Sequence, residues 1–145
     1  MSPRPCTACG ASGRLGSCTE LFHRLLALDH QRLEPWGEFH GLNVACFHLQ
    51  HPEGVATSVL SAQWQVTEAF LNGGLEAAHE WERRWRAETK LRGGHPGVDV
   101  VVPAQVRSPV FTIEDLSSDG TFPAQGYVER VTKWAESVHH ERSGL

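Results

Sequence analysis

The residues best able to do chemistry in this chain are four cysteines and a set of histidines in its first third. Cys6 and Cys9 form a CxxC step closed by Gly10, and Cys18 follows nine residues after Cys9. A CxxC turn aims both sulfurs the same way, so one tetrahedral ion can take both. Ser17 and Glu20 form a capping box, which opens a helix at Cys18. The positive end of that helix favours a thiolate there. Zinc is therefore the expected cofactor. A redox dithiol of the thioredoxin kind would close a strand and open a helix, and only five residues precede Cys6. A disulfide is not expected in a reducing compartment.

A closed structural zinc site wants a fourth ligand, and the candidates are Cys46, His23, His40, His48 and His51. If the first two helices form an antiparallel hairpin, the start of the first lies beside the end of the second. Cys18 then falls near His48 and His51. His40 sits at the far end of a helix of about 13 residues, about 16 Å away along its axis. His23 lies about 140° round the first helix from Cys18 and points elsewhere. Cys46 shares the apolar face of Leu42 and Leu49 and reads as a core thiol. The expected set is Cys6, Cys9, Cys18 and His51, with His48 next and His40 and Cys46 still open. Against it, a histidine before Pro52 at a helix end can simply cap carbonyls.

These residues need elements to position them. Residues 1–17 hold Pro, Gly, Ser and two cysteines with little to bury, so packing alone cannot order them. Structural zinc contributes about 10 kcal/mol or more in small peptides and can do so instead. From 18 onward the apolar spacing is helical. Leu21, Phe22, Leu25, Leu26, Leu28 and Leu33 form a first helix, broken by Pro35 and Gly37. A second covers about 38–50 and stops at His51-Pro52. A third covers about 56–72 and ends at Gly73-Gly74. A fourth covers about 75–91, with Trp81 and Trp85 inward. The last covers about 124–140, with Val128, Val131, Trp134, Ala135 and Val138 inward. Residues 98–103 and 109–113 are β-branched and short, and read as strands or extended segments. Thr112 with Asp115 reads as a helix cap, and Ser117 to Gly120 as a turn rather than a calcium loop. The expected fold is mainly α: one helical domain over 1–145 with about five helices, a small β or extended element, and an N-terminal zinc knuckle over 1–17 on a body of 18–145.

Composition limits the roles. Apolar residues are 40% and charged residues 21% of the chain, ordinary for a soluble domain. No apolar run nears the roughly 20 residues of a membrane span, and the N-terminus has no secretory pattern, so a cytoplasmic protein is expected. The net charge of −4 argues against a nucleic-acid partner, which needs a clustered basic surface. Arg83, Arg84, Arg86, Lys90 and Arg92 alternate with Glu80, Glu82 and Glu88 and read as a solvated helix face. Three cysteines on one metal lower its Lewis acidity, which favours a structural site. The leading expectation is a zinc-stabilised binding or interaction module with a protein or small-molecule partner. The alternatives are a metal-dependent enzyme using His40, His48 or His51, and a redox sensor that releases zinc on thiol oxidation. Trp36, between Pro35 and Gly37, is the tryptophan expected at a partner surface.

The stretch HGLNVACFHLQHP (40–52) resembles the signature of an uncharacterised bacterial family of unknown function. That pattern has an N-terminal CxxCG, a helix-opening Cys, an H-x-L-x-V stretch running to QHP, and a C-terminal WAESV helix. Here these are residues 6–10, Cys18, His40, Leu42, Val44, Gln50, His51, Pro52 and 134–138. The resemblance runs over nearly the whole chain and implies the same domain and metal site without an activity. Cys46, Phe47 and His48 depart from the pattern, which favours His51 or His40 as the fourth ligand.

Overall fold

The computed structural model describes residues 4–31, 33–92 and 100–143. Helix α1 spans Cys18–His30. Its start is fixed as the capping box predicts: the Ser17 hydroxyl accepts from the Glu20 N–H at 3.1 Å, and the Glu20 carboxylate accepts from the Ser17 N–H at 3.3 Å. It ends three residues short of Leu33, which is 44% exposed. A single 3₁₀ turn, Gly37–Phe39, leads into α2, His40–Gln50.

The two helices are antiparallel, and their side chains show it. At one end His40 Nδ1 meets the Asp29 carboxylate at 3.0 Å. Towards the other, the Phe22 and Phe47 rings stack with centroids 4.0 Å apart.

Helix α3 runs over Thr57–Arg92, where two helices are predicted. The predicted break is present within it: Gly74 sits at φ 76°, ψ −168°, a conformation that only glycine adopts at low cost. Trp64, Val66 and Phe70 from its first half are buried. The basic residues of its second half pair along the helix surface, Arg83 and Arg84 with Glu80 and Arg86 with Glu82.

The stretches predicted as strands form none. Residues 98 and 99 lie outside the described residues. From 100 on, backbone N–H groups find helix partners instead of a neighbouring strand. Val100 donates to Ser61 Oγ, Val106 and Arg107 to the Glu141 carbonyl, and Phe111 to Ser137 Oγ. The connection is thereby laced to α3 and to the last helix. Ile113, expected in a strand, opens a short helix α4, Ile113–Leu116, in which the Thr112 N–H donates to Asp115 at 2.9 Å. The turn after it brings Asp119 and Gly120 to φ 54° and 86°, between the paired residues Ser118 and Thr121.

Helix α5, Tyr127–Arg142, lies across the body with Val131, Trp134, Ala135 and Val138 buried. Val128, predicted inward, is 48% exposed; Tyr127 takes the inner place and donates to Asn43 Oδ1 at 2.6 Å. Trp36 is half-buried, with its indole N–H bound to the Phe122 carbonyl and its ring edge-on to Tyr127. It ties the α1–α2 link to the body and stays partly exposed, as its place between Pro35 and Gly37 suggests. The architecture is thus mainly helical, with almost no strand among the described residues.

Candidate metal centre

The N-terminal segment folds back on itself before it meets the helices. The Gly10 N–H donates to the Cys6 carbonyl and the Cys6 N–H to the Ala11 carbonyl, both at 2.8 Å. This tight turn needs φ 84° at Gly10, which is why a glycine follows the second cysteine. Ser12 pins the far side of the turn, giving two hydrogen bonds to Glu114 of α4, the shorter at 2.8 Å. Cys9 and Ala11 are buried although almost nothing in the segment is large enough to form a core.

The turn delivers Cys6 and Cys9 to the start of α1, where Cys18 stands, and to the end of α2, where His51 stands. One donor atom from each of Cys6, Cys9, Cys18 and His51 lies within 4.8 Å of all the others. Among the described residues this is the one such group of three or more metal-binding side chains. Cys9 and Cys18 bring their sulfurs to 3.5 Å. A zinc tetrahedron with ordinary bond lengths has ligand–ligand edges of about 3.6–3.8 Å.

His51 carries the more telling detail. Its Nδ1 lies 2.9 Å from the Phe47 carbonyl, one helical turn back. A carbonyl only accepts, so Nδ1 holds the proton. The Nε2 atom is left buried and without a hydrogen-bond partner. A metal-bound imidazole has this arrangement, with one nitrogen tied to a carbonyl and the other facing the ion. Phe47 fixes the ring plane as well, stacking on His51 with centroids 4.3 Å apart on one face and on Phe22 on the other.

The protons in this cluster are unevenly shared. Cys18, by donating to Cys9, brings the Cys9 thiol down to about 4, against the effect of burial and with help from His51. The same contact drives Cys18 upward. Burial works against a charged His51, yet Cys9, the Phe47 carbonyl and Cys6 outweigh it and raise the imidazole to about 9. Within the pair, negative charge is favoured on Cys9 over Cys18. The donor set, three soft sulfurs and one imidazole, fits zinc without identifying it.

The other predicted candidates go elsewhere. Cys46 is a fully buried core thiol, pushed upward by burial and by Glu141. His48 turns to α3, where its Nδ1 meets Gln63 Nε2 at 2.7 Å, and burial lowers its pKa. His40 is held by Asp29, and His23 is exposed. The three histidines offered for an enzyme therefore do not converge.

Sequence reasoning missed the support behind His51. Gln50 is buried and satisfied on both ends of its amide. Its Nε2 donates to the Phe111 carbonyl at 2.8 Å and to Glu141 Oε1 at 2.7 Å, while its Oε1 accepts from Trp134 Nε1 at 2.9 Å. Ser137 also donates to Glu141, at 2.9 Å. The QHP and WAESV stretches are thus two sides of one buried network that fixes the end of α2. Their appearance in one family pattern was the available signal; nothing in the residue types alone pairs them.

Fold and site together define a mainly helical protein whose N-terminal segment closes a Cys₃His cluster able to hold a metal ion. The chain belongs to DUF5946, a family of unknown function, which matches residues 4–143. No curated protein and no solved structure matches it. No helix among the described residues is long and apolar enough to cross a membrane.

Proposed function

We propose that Cys6, Cys9, Cys18 and His51 hold a structural zinc ion that clamps the N-terminal segment over the open end of the α1–α2 hairpin, and that the domain so stabilised is a binding module. The observation that carries this is the buried, unpartnered Nε2 of His51 among three thiols, with Nδ1 already committed to Phe47. A merely capping histidine has no reason to bring a buried ring nitrogen among three thiols. Four protein ligands leave no open position for substrate, which favours structure over catalysis. The test is elemental analysis of the untagged protein beside His51→Ala. About one zinc per chain, lost in the variant, supports the reading; a metal-free native protein, or full zinc in His51→Ala, rejects it.

A further inference from the structure

Away from the cysteine cluster, α2 and both halves of α3 line an open pocket of about 290 Å³. Its walls are apolar and aromatic: Val44 from α2, Val59 and Val66 from the first half of α3, and Trp81 and Trp85 from the second. The two indoles are near-parallel, with centroids 6.4 Å apart and planes 18° apart. The cavity lies at the His40 end of α2, about 16 Å along that helix from His51.

Charged and titratable side chains complete the lining: Glu82, Arg86 and His40. Glu82 lines the cavity, and its side chain is 21% exposed. The fold makes room for its carboxylate against the backbone of α2. A Cβ placed on Gly41 would fall 2.1 Å from Glu82 Oε1 and 2.8 Å from its carboxyl carbon. A glycine in the first turn of α2 thus leaves the space that the carboxylate occupies. Its cationic company is thin. Arg86 reaches Oε2 only at 3.9 Å, from a side chain that is 65% exposed. His40 is half-exposed and hydrogen-bonded to Asp29. Burial raises the Glu82 pKa despite the fields of His79, Arg86 and His40.

We propose that this cavity binds a small organic cation, an amine bearing an aromatic or branched apolar group, with its ammonium on Glu82 and its apolar part between the indoles and the valine wall. A largely buried carboxylate beside two indoles selects a cation over its neutral isostere twice. The charge is met in a region of low dielectric, and indole faces attract cations. The cavity is near the lower end of the size range of small-molecule sites, which suits an amine of the size of phenethylamine. This inference gives the binding module a ligand class. It rests on that reading and not on the zinc: zinc content and amine binding are measured separately, so each can fail alone.

The experiment is a titration of the protein as purified, its metal content recorded beforehand, followed by the five indole N–H signals in ¹⁵N-edited NMR. Phenethylamine is the probe, and 2-phenylethanol is its neutral counterpart. Trp36 and Trp134 are internal controls, because their indole N–H groups are tied to the Phe122 carbonyl and to Gln50. The expected result is a saturable shift of Trp81 and Trp85 with phenethylamine, with the two controls still. Binding of 2-phenylethanol should be at least about tenfold weaker, and Glu82→Gln should reduce amine affinity by a similar factor. The comparison of the two probes on the unaltered protein decides the matter even if the variant folds poorly. No saturable shift of Trp81 and Trp85, equal binding of the two probes, or unchanged affinity in a folded Glu82→Gln overturns the proposal.

Discussion

Cys9→Ser and Cys46→Ser are nearly the same chemical change at two buried thiols, and the structure assigns them opposite consequences. Cys9 is one of four donors within 4.8 Å of one another; Cys46 sits fully buried on the core face of α2. An ion that binds only the folded chain adds RT ln(1 + [Zn]/Kd), about 4 kcal/mol when free zinc is a thousandfold above Kd. For a chain of this length, about 3 °C of melting temperature accompanies each kcal/mol, so zinc should be worth about 12 °C. Thermal melts of the native protein with and without a chelator should differ by that order. Cys9→Ser should melt at the chelated value and ignore both chelator and added zinc. Cys46→Ser should lose about 1–3 kcal/mol through a buried hydroxyl short of a partner, yet still lose a further ~12 °C to the chelator. A native melting temperature unmoved by chelator refutes the clamp. So does a Cys9→Ser protein that keeps its zinc.

Other consequences can be measured with the same material. His51 near 9 and an upward-shifted Cys18 both carry protons at pH 7 in the metal-free cluster. Zinc must displace them, so calorimetric titration in buffers of different ionisation enthalpy should show release of about two or more protons per zinc, with affinity falling as pH falls. Proton-neutral binding would contradict the assigned ligands. Gln50→Ala strands the Trp134 N–H and takes a donor from Glu141; denaturant unfolding should show a loss of about 2–4 kcal/mol, with zinc still bound but at lower affinity, and a neutral result would remove the network from the account. Burial raises the Glu141 carboxyl, so the folded state binds that proton more tightly than the unfolded chain. Its ionisation then opposes folding as pH rises through the folded value, and the effect is absent below the unfolded value of about 4.3. Glu141→Gln should accordingly match or exceed the native protein in stability at pH 8 and lose that standing towards pH 4. A variant whose relative stability is flat across this range would contradict it.

The readable and unreadable parts of this molecule divide along physical lines. Helix starts set by local chemistry could be read from the residues alone: the Ser17–Glu20 box, the Thr112–Asp115 cap and the break at Gly74 all involve groups within a few positions of one another. The antiparallel pairing of α1 and α2 was reachable because a short link and two apolar faces allow little else, and that pairing alone placed His51 near Cys18 and His40 away from it. What failed was the β-branched run after residue 98. A strand exists only if another strand takes its hydrogen bonds, and here Ser61, Ser137 and the Glu141 carbonyl take them. Val128 failed for a related reason, since Tyr127 beside it has both the larger apolar surface and a buried acceptor in Asn43.

The same distinction explains Gln50. A buried glutamine has no local signature, because its partners lie 61, 84 and 91 residues away. Yet its effect is local. By fixing the last turn of α2 from three directions, it holds the residue before His51 in place while the Phe47 carbonyl orients the His51 ring. The N-terminal segment contributes two sulfurs, Cys6 and Cys9, on a chain with almost no core of its own, while Cys18 stands at the capped start of α1. The ligands held by the helical body are therefore Cys18 and the imidazole, and the imidazole's side of the site is steadied from the C-terminal helix, through Trp134 and Glu141.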